Sequence, residues 1–508
     1  MKLSRLLSPS LVFSFSLPFS LAAITMIVVG GRVQTYAQTS PQESSQQAWK
    51  QIPIPQLPAF HPAQPKRFEL PNGMVIFLQE DHELPTIDGT ARIRGGEHSV
   101  PASKAGMMEV YGEAWRTGGT KTQTGDQLDD FLEQRAAKVE TGGGGDSTTV
   151  GWACLKEDFD DVFRVFVDVL KNPEFRADKI GIAQKGLYDA ISRRNDDPSQ
   201  IAGREAAKLA YGNNSPLARV PEFATVAAIK RQDLMEWHGK YVHPNNIILG
   251  VVGDFDSAKM EAHLREAFGS WPKGAAAKEP EIKPEPAKPG LYQVDKTDVN
   301  QSNIQMVALG ITRRNPDYYA VSVFNEAFGG GFSSRLFGDI RTTKGLAYAV
   351  GGGVGSGFDH PGILRLMVST KSKTTFESIE AIDKEIADLP QHPINDEEMK
   401  RAKDSILNSF VFRFDSPEKV LQEKMAYEFY GYPLDFLENF QKEIEKVTKE
   451  DVARVAAKYL HGDQLAVLVV GHVSDFDKEP SSLGPANKID ITIPPPPPGL
   501  VPEQGEHP

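Results

Sequence analysis

"VAAIKRQDLMEWHGKYVHPNNIILGVVGDFD", residues 226–256, returns in altered form as "IEKVTKEDVARVAAKYLHGDQLAVLVVGHVSDFD", residues 444–477. Each copy reads as a helix, a Tyr-x-His turn and an apolar strand that ends in glycine. Asp233 and Asp451, Tyr241 and Tyr459, His243 and His461, and Gly253 and Gly471 all stand 218 residues apart, with no gap required. Solenoid repeats recur every 20 to 50 residues or so, whereas this offset has the size of a domain. The chain is therefore read as two related domains, in keeping with a length of 508 residues, since single cores stop growing at roughly 250 to 300.

Outward from the repeat, each half mixes strand and helix patterns. "RFELPNGMVIFLQED" is a pair of apolar runs around the Pro71-Asn72-Gly73 turn, and "TIDGTARIRGG" and "VGWACLK" continue as strands. Apolar residues three and four apart mark helices in "DDVFRVFVDVLKN" and "KIGIAQKGLYDAISRRNDD". The second half repeats the mixture, with "IQMVALGI", "GILRLMVST" and "QLAVLVVG" as strands beside the helices "DYYAVSVFNEAF" and "TFESIEAIDKEIADL". Strands and long helices without tight βαβ units predict an α+β fold: two homologous domains of mostly antiparallel sheet with packed helices.

Composition sets the flanks. Lys2 and Arg5 followed by a serine-broken apolar run read as an export signal over residues 1–37, with cleavage after Ala37; the run also suits an uncleaved membrane anchor. On either reading the remainder is expected outside the cytoplasm, periplasmic or extracellular. Residues 38–66 read as a Gln, Ser and Pro-rich linker, 67–273 as the first domain, 274–290 as an interdomain linker, 291–483 as the second domain, and 484–508 as a proline-rich tail with five consecutive prolines from Pro494. A net charge of -12 with scattered basic residues excludes a nucleic-acid surface, and the single cysteine, Cys154, excludes an internal disulfide and a cysteine zinc site. "TGGGGD", residues 141–146, lacks the Gly-Lys-Ser/Thr end of a phosphate loop and reads as a hairpin connection.

Two stretches carry the chemistry. "GGGFSSRLFGDIRTTKGLAYAV", residues 329–350, resembles in identity and spacing the second-domain signature of the insulinase or pitrilysin (M16) type of zinc peptidase, on the smaller, processing-peptidase-like branch. "ELPNGMVIFLQEDHELPTIDGTARIRGG" resembles the first strands of that family and "YVHPNNIILGVVGDF" the end of its first domain, so that the resemblance spans about residues 67 to 480. It implies a clamshell arrangement. In that family a first-domain helix carries His-x-x-Glu-His, two zinc ligands and a general base, with a carboxylate ligand further on. The matching stretch here, "AGMMEVYGEAWRTGGT", residues 105–120, has Glu109, Gly112 and Glu113 at those positions, and Asp189 falls at the third-ligand position. None of the eleven histidines rebuilds the motif elsewhere. Three carboxylates suit calcium or magnesium better than zinc, and Gly112 has no side chain to take a proton. This is read as a degenerate metal site, with Glu109 and Glu113 as solvated glutamates one turn apart; no metal and no other cofactor is expected in this chain.

In the same family an arginine and a tyrosine seven residues apart hold the substrate carbonyl across from the zinc, and Arg341 and Tyr348 match that pair. Otherwise Arg341 would pair with an acidic neighbour and Tyr348 would fill a core edge. The resemblance implies an exported, catalytically incomplete peptidase subunit. It would bind peptide and supply Arg341 and Tyr348 to a zinc-bearing M16 homologue, its heterodimer partner. The alternative is a structural or binding protein on the same fold with no part in proteolysis; a hydrolase built on Glu109, Glu113 and Asp189 is the third reading.

Overall fold

The computed structural model describes residues 63–500. The export signal, nearly all of the 38–66 linker and the last eight residues lie outside that range. The first half builds a six-stranded sheet from β1 (Lys66–Glu69), β2 (Val75–Glu80), β3 (Thr86–Arg94), β4 (Lys138–Gly143), β5 (Ser147–Leu155) and β6 (Ile247–Gly253), in the order β1-β2-β6-β3-β5-β4. The second uses β7 (Gly290–Asp295), β8 (Gln301–Leu309), β10 (Ala347–Val354), β12 (Ile363–Lys371), β13 (Ala466–Gly471) and β14 (Ala486–Lys488), in the order β10-β12-β8-β13-β7-β14. Two short strands, β9 (Ile311–Thr312) and β11 (Ser356–Gly357), pair beside it.

Read from opposite ends, the five strands β2-β6-β3-β5-β4 and β7-β13-β8-β12-β10 follow one order. β2 with β6 and β7 with β13 are parallel pairs, and the remaining neighbours within these five are antiparallel. The duplication thus extends to whole sheets. Helices Arg231–Tyr241 and Lys449–Tyr459, which carry the repeated sequence, start in the same way: the Asp233 and Asp451 carboxylates accept the Lys230 and Thr448 N–H groups at the N-caps.

β6 is buried along its whole length, which requires cover on both faces. Alternate residues separate the two covers. Ile247, Leu249 and Val251 join the core of their own half, whereas Ile248 and Val252 pack with Phe77 against Leu421, Met425 and Phe429 of helix Pro417–Tyr430, from the second half. The reciprocal contact holds as well: Ala466, Leu468 and Val470 of β13 pack against Ile201, Ala202, Ala206 and Leu209 of helix Pro198–Tyr211, from the first half. Each half lends one helix to the back of the other's sheet. A buried Leu or Ile contributes roughly 1.5–3 kcal/mol, so this exchange locks the halves together.

The connection and the tail are tied down more closely than a free linker would be. In the 274–290 linker, Asn246 bonds to Ala275 and Ala277, and the N–H groups of Glu285 and Ala287 donate to Tyr211 and Leu209. In the 484–508 stretch, Ala486–Lys488 adds a strand parallel to β7, Asn195 donates to the Ile491 carbonyl at 2.6 Å, and Ile493 and Leu500 rest on the first core. Proline removes donors, but the residues before Pro494 keep theirs and use them.

Candidate functional site

The helix at the degenerate metal position is Met107–Thr117. Its N-terminus is fixed by Glu97, whose carboxylate accepts the Gly106 and Met108 N–H groups at 3.0 and 3.2 Å, a carboxylate at the positive end of a helix. Met107, Met108, Val110, Tyr111, Ala114 and Trp115 are buried. The Tyr111 hydroxyl meets His238 Nδ1 at 2.9 Å and the Trp115 indole donates to the Val169 carbonyl at 2.8 Å. Glu109 and Glu113 remain exposed.

Gly112 sits against the edge strand β4. The Thr141 hydroxyl donates to its carbonyl at 2.6 Å, and a Cβ added there would stand 2.4 Å from the Gly143 nitrogen and 2.9 Å from the Gly142 carbonyl carbon. A Cβ on Gly143 would in turn lie 1.9 Å from the Met108 carbonyl oxygen. Gly112 is therefore required by close approach of helix to strand and is more than a weak helix former. The position that holds the general base in the resembled motif has no room for a side chain.

Asp189 is exposed on helix Ala177–Arg193. Among the described residues no group of three or more His, Cys, Asp and Glu side chains is arranged to hold a metal ion. A donor set of exposed carboxylates without a histidine does not fit zinc.

The second stretch folds into a different kind of surface. Leu336 and Ile340 are fully buried and anchor it, and Arg335 is held by Glu398 at 2.9 and 2.6 Å and by the His392 carbonyl at 2.6 Å. Phe337–Thr343 winds as a wide π-helical turn, a form that recurs at functional sites. Beyond it, the pairing of β10 with β12 slips between Ala347 and Ala349, leaving Tyr348 as the bulged residue. A bulge re-aims a side chain. Tyr348 is 78% exposed and belongs to the sheet's edge strand.

Arg341 and Tyr348 come together here. The Arg341 guanidinium lies 4.8 Å from the Phe337 ring centre and 5.7 Å from that of Tyr348. The nearby carboxylate of Asp339 is taken by Lys344, and among the described residues Arg341 makes no ion pair. Neither structural alternative raised by the sequence applies: Arg341 has no acidic neighbour bound to it, and Tyr348 fills no core. A shallow cavity of about 490 Å³ opens beside Arg341, walled by Gly329–Gly331, Phe332, Phe337 and Met367, while Tyr348 lines a separate cavity of about 800 Å³ with Asn303, Ser369 and His472. Phe332 is 83% exposed and meets Phe337 edge to face at 5.1 Å. Sequence reasoning passed over Phe332 and Met367; the only signal was an aromatic directly after three glycines. No hydrogen bond, ion pair or ring contact among the described residues joins Arg341 or Tyr348 to Glu109, Glu113 or Asp189. The arrangement offers two hydrogen-bond donors on the sheet's edge strand and the turn before it.

Comparison with known proteins finds relatives of the same fold. The family profile described as "Peptidase M16 inactive domain" matches residues 228–406. The Bacillus subtilis protein "Uncharacterized zinc protease YmxG" is 22% identical over 80% of this chain and 98% of its own length. The Helicobacter pylori "Non-peptidase homolog YmxG" is 24% identical over 74% of this chain and 87% of its own. Among solved structures, a peptidase M16 inactive domain from Pseudomonas fluorescens superposes with a TM-score of 0.70 at 22% identity, covering 80% of this chain and 98% of that one. A protease from Helicobacter pylori gives 0.69 at 17%, covering 81% and 100%. The chain is thus similar to M16 peptidase-type proteins in sequence and shares their fold, and it lacks the His-x-x-Glu-His motif.

Proposed function

We propose that this chain is the non-catalytic subunit of an exported M16 peptidase, binding peptide and lending Arg341 and Tyr348 to the site of a zinc-bearing partner. One observation carries the reading: an arginine without a carboxylate partner and a bulged, exposed tyrosine stand together, 5.7 Å from guanidinium to ring centre. A guanidinium and a phenol both donate hydrogen bonds. Aimed at a carbonyl oxygen that gains negative charge, such donors typically contribute about 10²-fold or more each. The edge of β10, apart from Val354, whose backbone groups are taken by Asn325, supplies backbone groups along which an extended peptide can lie, and the Phe332, Phe337 and Met367 walls suit an apolar side chain of that peptide. The zinc, its two histidines and the glutamate base would come from the partner, closing on this chain as a clamshell. Residues 1–37 support export, and with it a periplasmic or extracellular site of action.

The test is co-purification with a His-x-x-Glu-His homologue followed by a peptide-cleavage assay. Activity present only in the mixture, and reduced by Arg341→Ala or Tyr348→Phe without loss of the complex, supports the proposal. Unchanged activity in both variants would instead favour a binding protein with no part in proteolysis, the reading that the name of the Helicobacter relative suggests.

A further inference from the structure

Internal duplication allows each surface of one half to be compared with its counterpart in the other, and one surface differs sharply. In the second half, a groove of about 660 Å³ runs between helices Thr375–Asp388 and Lys449–Tyr459, walled by Ile386, Leu389, Ile394, Val452 and Leu460. Its counterpart in the first half lies between helices Phe159–Lys171 and Arg231–Tyr241, and there the chain covers it with its own following segment. Lys171 reaches over the Trp271 ring at 4.8 Å and donates to the Ala267 carbonyl, Gly274 donates from its N–H to Asn245 at 2.9 Å, and Gly274 lies against the His243 ring. His243 and Asn245 correspond to His461 and Asp463 at the offset of 218, and Lys171 to Ala387 at the offset of 216 that relates β5 (Ser147–Leu155) to β12 (Ile363–Lys371); all three second-half residues line the groove.

Among the described residues no such cover forms in the second half. After β13, Phe476 packs on Phe376 and Asp477 caps the start of helix Thr375–Asp388. A smaller side chain also lines the groove where the first half has the half-buried His238, since Ala456 stands at that position. Its charge differs too. Asp383 stands where the first half has Val167, and Asp463 where it has Asn245. Nearby charges are already paired, Glu380 with Lys478 and Lys384 with Asp388. Asp383 and Asp463 make no ion pair among the described residues, and His461 is the remaining titratable group on the rim.

We propose that this groove is a docking site for an extended segment of a partner protein that presents a large apolar or aromatic residue next to a lysine or arginine. The apolar walls would take the first side chain, as the first half takes Trp271. Asp383 and Asp463 would take the cation. The chain's own Trp271 segment stays in the first half, where Asn72 donates to the Phe268 and Trp271 carbonyls at 2.7 and 3.0 Å, so that segment is not the occupant.

The full chain is titrated with a labelled peptide of sequence Phe-Gly-Ser-Trp-Pro-Lys-Gly-Ala-Ala-Ala, residues 268–277, read by fluorescence anisotropy. Saturable binding is expected, lost when the peptide's Trp becomes Ala. Asp383→Asn should weaken it roughly fivefold to tenfold, while leaving a peptide with Met in place of Lys unaffected. Ala457→Trp, on an exposed rim position, should abolish it by filling the groove, with thermal unfolding of the variant confirming the fold. No saturation at about millimolar peptide, or binding indifferent to both protein variants, overturns the proposal. Sedimentation showing a dimer that Ala457→Trp dissolves would assign the groove to a second copy of this chain and also overturn it.

Discussion

Gly112→Ala is the smallest change that probes the base position. In most exposed helices it would stabilise by about 1 kcal/mol, because alanine loses less backbone freedom than glycine. Here the new Cβ meets the Gly143 nitrogen at 2.4 Å and the Gly142 carbonyl carbon at 2.9 Å. Both are backbone atoms of β4, which cannot rotate aside as a side chain does. Relief requires the strand to withdraw by about 1 Å, breaking the Thr141 bond to the Gly112 carbonyl. Overpacking of this kind costs about 1–3 kcal/mol, and the lost hydrogen bond about 1 kcal/mol more. Set against the helix gain, the net loss is about 1–3 kcal/mol, read as a lower midpoint in urea or heat. Gly112→Glu should lose more, since its carboxylate would be forced toward the strand. It follows that restoring the motif by Glu109→His, Gly112→Glu and Glu113→His yields no zinc peptidase. A Gly112→Ala variant as stable as the parent, or more so, would refute the close-approach account.

Other outcomes follow from the same structure. Leu421→Ala, on the exchanged helix, should cost about 2–5 kcal/mol although the residue comes from the other half of the chain than the sheet it covers; a urea titration checks this. Arg341→Ala and Tyr348→Phe should leave the melting temperature nearly unchanged, within about 0.5 kcal/mol. His238 is half-buried and neutral, and desolvation holds its pKa down at about 3. A folded pKa below the unfolded one means that stability is complete above about pH 6.5 and declines as pH falls toward 3, by about 2 kcal/mol at pH 5; His238→Gln should flatten that decline in thermal melts across the range. Asp383 behaves oppositely: burial, and then Glu380, raise its carboxyl to about 6. Its contribution is full below about pH 4 and lost as pH rises through 6, so Asp383→Asn should stabilise by about 1 kcal/mol at pH 7.5, allowing for its partial exposure, and not at pH 4.

Local pattern made most of the fold legible. The 218-residue offset announced two related halves, and the alternation in 86–94 and 147–155 marked strands whose burial alternates in the same way. Helices Pro198–Tyr211 and Pro417–Tyr430 went unread, because nothing in "SQIAGREAAKLAY" says that its apolar face serves the other half's sheet; partner choice is a tertiary fact. At the site, the pairing of Arg341 with Tyr348 came from resemblance, and the bulge that turns Tyr348 outward carries no sequence signal. Gly112 and the glycines of "TGGGGD" were both noticed, but their mutual contact depends on how closely one helix approaches one strand.

Cleavage of an extended peptide by the mixture of this chain with a His-x-x-Glu-His homologue, assayed with parent protein and with Arg341→Ala, tests the central claim most directly. The account predicts no hydrolysis by this chain alone, hydrolysis by the mixture, and a fall of about 10²-fold or more with Arg341→Ala in an intact complex. Chelator-sensitive hydrolysis by this chain alone, or a mixture indifferent to Arg341→Ala, would contradict it.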